Sequence, residues 1–393
     1  MTETIAQLNS RIYRPAGVRQ CIVNSAWSNG GRANFVRQID LSLPICALML
    51  VFEGRLVIGG ANVATGAIEG LLNLISRVAV TGTNKRAGGN VVLWDTDLAT
   101  LYAMQHMFQL NGAYFTINDT QRAVPTTPFP AIGANGYMDV ATGTYDYRIA
   151  VKIPFYPFNA PKSQRAAFAV RAEEYADSLQ VQLEYGRTTD AANACSLGTG
   201  AAGTTYVNTS YGAGTGTPMV SLYAIPIEMG TLKDNVLPGM LSRVQAPLNS
   251  SLLTSAGTNV NLLNLQKQPT TRLILKTGTV SATLSPAFTT LSDANVTSIG
   301  LSIGGKSALR ETDPISCFKA SQVEEYGRPP IQGYVCADFL ESFDFNSAFN
   351  GDQIGAGSTF QLQGIVAALA NAQATVIQEQ LLFRPDGSIY NPS

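Results

Sequence analysis

The sequence predicts an all-β protein of two tandem eight-stranded antiparallel jelly rolls, each with an inserted helix, and an N-terminal arm. Three observations predict this fold. Apolar and polar residues alternate along most of the chain, few segments have helical spacing, and the order of elements in the first half returns in the second. Eight antiparallel strands per half is the count of a jelly roll. We place the arm at 1–32, the first jelly roll with long surface loops at 33–235, and the second at 236–393.

The strand signature is clearest where apolar residues recur with period two. "SLQVQLEYG" (178–186) and "STFQLQGIV" (358–366) share an apolar–Gln–apolar–Gln rhythm, and "YDYRIAVKIPF" (145–155) alternates in the same way. "LPICALMLVF" (43–52) is apolar throughout, which is typical of a strand buried on both faces. It is too short to cross a bilayer, which takes about 20 residues. We therefore predict strands at all four places.

Each half has a strand that runs into a glycine-containing turn and then a helix. These strands are "ISRVAVTGTNK" (75–85) and "TSIGLSIGGKS" (297–307). Each half also ends on a long strand, "VSLYAIPIEM" (220–229) and "ATVIQEQLLF" (374–383). The matching order indicates two copies of one architecture. The first copy differs by two long loops, near 111–143 and 187–218, and loops of this length are usually functional surface or disordered.

Three segments have helical character. The first, "DTDLATLYAMQHMFQL" (95–110), has Asp95 or Thr96 as a candidate N-cap. The other two are "SQRAAFAVRAEEYA" (163–176) and "SCFKASQVEEYG" (316–327), and the last of these ends at a glycine. We expect one helix to be inserted midway in each jelly roll.

The low content of charged residues favours some classes of function over others. Charged residues make up only 13% and the net charge is −1, which does not suit a protein that neutralises phosphates. A surface poor in charge suits a protein that packs against copies of itself. The first residues lack the apolar core of a secretion signal, so we expect synthesis in the cytoplasm. The cysteines are odd in number, contain no C-x-x-C pair and are predicted to be buried thiols: Cys21, Cys46, Cys195, Cys317 and Cys336.

The strongest chemical motif is "GLSIGGKS" (300–307), which matches the phosphate-loop pattern G-x-x-x-x-G-K-[ST]. A phosphate loop must come after a strand and open a helix. Here the alternation continues through the supposed loop, and Pro314 interrupts the next segment of the chain. We favour a hairpin turn over a nucleotide site. The motif positions are Gly300, Gly305, Lys306 and Ser307.

For the other candidate site residues, a structural or solvated role is favoured over catalysis. His106 is the sole histidine, and without a second histidine or an activated nucleophile we expect a structural or interface role. The acidic pairs, Glu173-Glu174 and Glu324-Glu325, are adjacent in sequence rather than facing each other, which favours a solvated or N-capping role over glycosidase chemistry. The one basic cluster lies in the arm and is either a solvated tail or a contact to neighbouring subunits or an acidic inner surface: Arg11, Arg14 and Arg19. We predict no catalytic, cofactor-binding or metal-binding residues and no cofactor.

The repeated order, the paired helices, the long loops and the arm together resemble one family, from about residue 34 to 385. It is the double jelly-roll major capsid protein of tailless icosahedral bacteriophages, the lineage shared with adenovirus hexon. The segments that carry the resemblance best are "DSLQVQLEYG" (177–186), "STFQLQGIVA" (358–367) and "ATVIQEQLLF" (374–383). No single motif is diagnostic of the family.

The resemblance implies a structural protein of the virion, not an enzyme. Three copies would form a pseudo-hexagonal capsomer, and capsomers would build an icosahedral shell around the genome. The implied partners are neighbouring capsomers, penton or minor capsid proteins, and an inner membrane or the genome at the arm, with no recognition of a nucleic-acid sequence. The loops at 111–143 and 187–218 would lie outside.

The residues alone leave two other classes open. One is another β-rich phage structural or attachment protein, such as a spike, a tail component or a carbohydrate-binding lectin. The other is an enzyme, through the phosphate-loop pattern or as a jelly-roll oxygenase. An oxygenase site needs two histidines and a carboxylate, and one histidine cannot supply them.

Overall fold

The protein is mostly β-structure, as predicted. The computed structural model describes residues 14–15, 20–36, 44–59, 63–66, 69–85, 87–108, 114–117, 120–121, 143–158, 160, 168–171, 175, 179–188, 194–195, 197–200, 205–212, 215–228, 241–245, 251–253, 256–280, 288–304, 306–307, 313–327, 330–339, 358–367 and 371–382.

The first half of the described chain contains fifteen strands, a 3-10 helix (Gly70–Leu74) and the helix α1 (Leu98–Phe108). The strands are β1 (Arg14–Pro15), β2 (Gln20–Ala26), β3 (Arg32–Val36), β4 (Ile45–Gly59), β5 (Val63–Gly66), β6 (Ile75–Asn84), β7 (Gly89–Thr96), β8 (Tyr114–Ile117), β9 (Thr120–Gln121), β10 (Gly143–Pro154), β11 (Gln180–Tyr185), β12 (Ala194–Cys195), β13 (Gly198–Gly200), β14 (Thr205–Thr209) and β15 (Met219–Glu228).

The second half of the described chain contains eleven strands and the helix α2 (Ile315–Tyr326). The strands are β16 (Leu241–Gln245), β17 (Ser251–Leu252), β18 (Gly257–Asn264), β19 (Thr270–Val280), β20 (Phe288–Leu291), β21 (Val296–Ile303), β22 (Lys306–Ser307), β23 (Asp313–Pro314), β24 (Tyr334–Asp338), β25 (Phe360–Val366) and β26 (Ala372–Leu381).

Each half is built from two facing sheets. In the first, the sheet β1-β15-β4-β10-β8-β9 faces the strands β7-β6-β11-β3. In the second, the strands β20-β19-β26, with β24 paired to β19, face the sheet β18-β25-β21-β22. Within each half the described neighbouring strands are antiparallel, and β4 and β10 stay in register from Gly143 opposite Ile58 to Pro154 opposite Ala47.

One sheet passes through both halves. Strand β16 pairs antiparallel with β26 of the second half and parallel with β7 of the first, with Arg243 opposite Trp94. Strand β16, close to the predicted boundary between the two rolls, therefore joins them into a continuous ten-stranded sheet.

Two apolar cores lie inside the rolls. The first contains the inward residues of β4 and β10, among them Phe52, Tyr147 and Ile149. The second contains Leu273 and Leu275 of β19 with the inward residues of β25 and β26. The period-two pattern of "YDYRIAVKIPF" is confirmed, because Tyr147, Ile149, Val151 and Ile153 are all buried.

The structure corrects several local predictions. Asp97, not Asp95 or Thr96, caps α1, since its carboxylate accepts the Thr100 N–H at 2.6 Å and the Thr100 hydroxyl at 2.8 Å. Asp95 lies in β7, where a bidentate pair with Arg77 occupies its carboxylate at 2.7 and 2.8 Å.

The helix predicted over 163–176 is wrong at Val170 and Tyr175, while Phe168 has 3-10 helical geometry. Val170 forms a β-bridge with Ile45, and Tyr175 forms one with Asn84, so both are extended. Residues 163–167, 172–174 and 176 lie outside the described residues. At Val170 and Tyr175 the predicted helix is replaced by pairing with Ile45 of β4 and Asn84 of β6.

The arm and the second long loop contain more structure than the sequence indicated. Strand β2, inside the predicted arm 1–32, pairs with β15. Within the loop 187–218, β14 pairs with the outer end of β4 and buries Tyr206, and β13 pairs with β5. Most of the loop 111–143 lies outside the described residues, apart from β8, β9 and Gly143. The boundaries 33–235 and 236–393 stay a prediction.

Candidate functional site

The phosphate-loop pattern falls on a β-hairpin. Gly300 lies within β21, Gly304 makes the turn with φ +58°, and β22 pairs back with Ser302 opposite Ser307. The next helix, α2, begins only at Ile315, after the extended β23. The hairpin prediction is confirmed, because the motif does not open a helix whose N–H groups could hold a phosphate. Gly305 lies outside the described residues.

The other candidate residues do not gather at one place. His106 is half-buried in the last turn of α1. Glu324 and Glu325 are exposed near the C-terminal end of α2, which fits the solvated interpretation and not an N-cap. Arg14 lies in β1, opposite Glu228 of β15. Four of the candidates lie outside the described residues: Arg11, Arg19, Glu173 and Glu174.

The cysteines differ in environment. Cys46 and Cys336 are buried thiols, as predicted, and burial raises the pKa of Cys336 well above its ordinary value. Cys317 is exposed on α2, so the prediction of a buried thiol is wrong for this residue. It lies on a helix face that no sequence pattern marked as exposed. The side chains of Cys21 and Cys195 lie outside the described residues.

The most distinctive cluster of ionisable groups is buried between the two halves. Lys276 of β19 is 1% exposed and forms an ion pair with Glu69, which is also 1% exposed and precedes the 3-10 helix. The Lys276 ammonium lies 3.6 Å from an oxygen of Asp97, the cap of α1. The Tyr334 hydroxyl donates to Glu69 at 3.1 Å. Side chains from both halves thus satisfy one another away from water.

A second buried group adjoins the first through the same strand. Arg272 of β19 donates to Asp338 at 2.7 Å and lies 3.5 Å from a carboxylate oxygen of Glu379. The Tyr326 hydroxyl at the end of α2 donates to the same Asp338 carboxylate. The Arg272 guanidinium also lies over the Phe108 ring of α1, 5.2 Å from its centroid. We call these two groups, from Glu69 and Lys276 to Arg272 and Asp338, the junction.

Burial and ion pairing have opposite effects on the pKa values of Glu69 and Arg272 in the junction. Loss of water raises the pKa of Glu69, while Lys276 opposes the rise. Burial alone would lower the pKa of Arg272, but the carboxylates of Asp338 and Glu379 outweigh it and hold that pKa well above its ordinary value. Burial raises the pKa of Tyr334 well above its usual range. Each cation of the junction therefore faces at least one carboxylate, and removal of a single partner would leave a buried charge.

Apolar side chains of the two halves also pack against each other. Phe108 at the end of α1 meets Tyr326 edge to face, with ring centroids 5.0 Å apart. The core of the first half continues into Ile274, Cys336 and Ile377 of the second. Sequence reasoning missed the junction because its acids and bases are single residues in unrelated segments. The one available signal was the charge placed inside the apolar stretch "TTRLILKTG" (270–278).

The described residues contain no group of three or more His, Cys, Asp or Glu side chains that could hold a metal ion. Among the helices of the described chain, neither is long and apolar enough to cross a membrane. The junction has the chemistry of a structural contact, in which each cation faces at least one carboxylate.

No protein-family model matches the sequence, and no curated protein matches it. Solved structures do resemble it. The crystal structure of the STIV MCP has 13% identity and a TM-score of 0.53, with 92% of this chain and 95% of that chain covered. The atomic structure of Sulfolobus Turreted Icosahedral Virus gives 12% identity, 93% and 90% coverage and a TM-score of 0.53.

The capsid of the virus PBCV-1 is similar to the same extent. It has 12% identity and a TM-score of 0.52, and 94% of each chain is covered. At these identities the likeness establishes the fold and its extent along the chain. The protein has the double jelly-roll fold of these viral major capsid proteins.

Proposed function

We propose that this protein is a major capsid protein that assembles as trimeric, pseudo-hexagonal capsomers into an icosahedral shell around a viral genome. The observation that carries the proposal is the double jelly roll with its halves joined at a buried, ion-paired junction. Two rolls in each chain give six in a trimer, which is the number that fills a hexagonal tile. The likeness to viral capsid proteins along more than nine-tenths of the chain supports the same function.

The junction suits a shell protein because it fixes the angle between the rolls. Domains joined only by a linker move relative to each other unless their interface is large and apolar. Here the contact combines the shared sheet through β16, the Phe108–Tyr326 packing and the buried ion pairs. A fixed angle allows identical tiles to meet edge to edge repeatedly, which a closed shell requires.

Its partners would be neighbouring capsomers and penton or minor capsid proteins. The basic residues of the arm, among them Arg11, Arg14 and Arg19, would face an inner membrane or the genome without reading its sequence. The protein would be made in the host cytoplasm and reside in the virion.

Assembly tests this proposal directly. The purified protein should have three times the mass of the chain by light scattering, and negative-stain electron microscopy should show rings with six lobes. A protein that stays monomeric at high concentration and forms no rings would contradict the proposal.

We further propose that the protein is not an enzyme. Replacing Lys306 with Ala tests the one motif that points to nucleotide hydrolysis, because the motif lysine contacts phosphates in a functional loop. The variant and the unchanged protein should assemble alike and release phosphate from ATP at the same background rate. An ATPase activity that disappears in the variant would show that the motif is functional.

A further inference from the structure

The two halves contain the same triad of strands. In the first half the middle strand β4 pairs with β10, which comes after α1, and with the closing strand β15. In the second half β19 pairs with β24, which comes after α2, and with the closing strand β26. The helices occupy matching places too, since α1 packs against β10 and β6, and α2 packs against β24 and β21. Each triad has one face toward its own core and one outer face.

The outer face of the second triad is buried inside the chain. Its residues Arg272, Ile274 and Lys276 are at most 1% exposed. The covering elements come from the first half: Phe108 at the end of α1 lies under Arg272, and Asp97 at its start approaches Lys276. Almost all of α1 is buried as a result.

The outer face of the first triad is partly exposed and apolar at its centre, with charged side chains at its margin. Met49 of β4 lies opposite Tyr223 of β15, Val51 and Ile225 lie on the same face, and Met219 at the start of β15 is 42% exposed. These residues alternate with the buried ones, so they all point away from the core of their own roll. An apolar face of this kind is typical of a surface that another protein covers.

The helix α2 is the counterpart of α1 but is mostly in contact with solvent. Only Ile315 and Gln322 are buried, and Val323 is 42% exposed. Cys317 and Ala320 are exposed as well. Within the chain, α1 contacts the outer face of the second triad. The corresponding surfaces, α2 and the outer face of the first triad, do not contact each other in this way.

We propose that α2 of one copy packs on the outer face of the β10–β4–β15 triad of a second copy, as α1 packs on the β24–β19–β26 triad within the chain. This inference rests on the proposed capsomer function and names the surfaces that build it. The contact is heterologous, because it joins two different surfaces of identical copies. Copies joined in this way form a closed ring when the rotation from one copy to the next is a whole fraction of a turn. Charge favours the match, since α2 presents Glu324 and Glu325, and the rim of the triad carries Arg148 and Lys152 against the single carboxylate of Glu53, which pairs with Arg148.

Two variants test the contact from its two sides. Ala320→Glu with Val323→Glu changes only exposed positions of α2, and Val51→Glu with Tyr223→Glu changes half-exposed positions of the triad. Each variant alone should lose the oligomer and sediment as a monomer at a concentration where the unchanged protein is a trimer. Val207→Glu, at a position 49% exposed on β14, is the matched control and should remain a trimer.

Mixing the two variants tests the head-to-tail geometry. Each variant retains the surface that the other has lost, so an equal mixture should form one-to-one dimers and no trimers. Separate monomers in the mixture, or oligomers of either variant alone, would overturn the inference while leaving the capsid proposal intact. A monomeric unchanged protein would overturn both.

Thiol labelling gives a measurement that does not depend on the triad variant folding. Cys317 is exposed in the single chain, so a maleimide should react with it rapidly in the monomeric α2 variant. In the unchanged trimer, coverage of α2 should slow labelling at this residue by about tenfold or more, since access limits thiol reactivity. Peptide mapping assigns the label to Cys317. Equal labelling rates in the two proteins would overturn the proposed contact.

Discussion

Replacing Lys276 with Met should destabilise the protein in a strongly pH-dependent way. The substitution keeps an unbranched, apolar side chain in the space but removes the ammonium that faces Glu69, which is 1% exposed. The Tyr334 hydroxyl, 3.1 Å away, would remain as a donor to that carboxylate. A buried carboxylate without its cation relieves its cost by taking up a proton.

The cost of that proton sets the size of the effect. With an ordinary pKa of 4.5 in the unfolded chain, protonation at about pH 7 costs about 1.36 × 2.5, or about 3.4 kcal/mol. At about pH 5 the same calculation gives about 0.7 kcal/mol. The variant should therefore be about 3 kcal/mol less stable than the unchanged protein near neutrality and less than about 1 kcal/mol less stable in mild acid.

Urea unfolding followed by tryptophan fluorescence measures this difference at both pH values. The protein concentration is kept constant, because assembly adds to apparent stability. The matched control combines Lys276→Met with Glu69→Gln, whose amide retains a partner for Tyr334 and has no proton to take up. It should be within about 1 kcal/mol of the unchanged protein at either pH. Equal destabilisation of the single variant at both pH values would refute the reasoning.

Three further substitutions test other parts of the structure by thermal or urea unfolding. Gln322→Leu should raise the free energy of unfolding by about 1 kcal/mol or more, because both polar atoms of this 3% exposed side chain lack a hydrogen-bond partner among the described residues; a loss would mean that the amide is hydrogen-bonded in solution. Gly333→Ala should lower it by at least about 2 kcal/mol, because its φ is +76° and a Cβ would lie 2.6 Å from the Thr277 carbonyl oxygen; an unchanged melting temperature would contradict this. The pKa of Asp146 is lowered by the hydrogen bond from Arg55, so the stability it gives is present above the ordinary value of 3.8 and is lost as the pH falls through the lowered pKa. Asp146→Asn should be less stable at neutral pH and should show a shallower acid loss, and an unaltered acid slope would count against the pair.

The period-two pattern predicted those strands that have one face in a core and one face outward. β10, β11 and β25 are of this kind, and their buried residues are the ones that the sequence indicates. The sequence also predicted the glycine turn after β21 and the end of α2 at Gly327, where φ is +63°. Both depend on local backbone geometry. Local rules predicted these elements because nothing distant alters them.

The junction could not be predicted in the same way. β26 is buried along its whole length, including Gln378, Glu379 and Gln380, because the first half of the chain covers the face that ought to meet water, and Ile377 lies in the core of that half. Glu69 and Lys276 are 207 positions apart, and neither lies in a motif. Their pairing depends on how the two rolls dock, which a pattern within one segment does not contain.

The sheet shared through β16 affects the order in which the protein folds during synthesis. The ribosome makes β7 and α1 before β16, β19 and β26 of the second half. Until β16 is made, β7 has an unpaired edge, and until β19 is in place, α1 lacks the strand that meets Phe108 at its end. Unpaired edges and uncovered apolar surface favour wrong pairing during folding. The first roll therefore cannot bury all of its apolar surface before the second roll is translated.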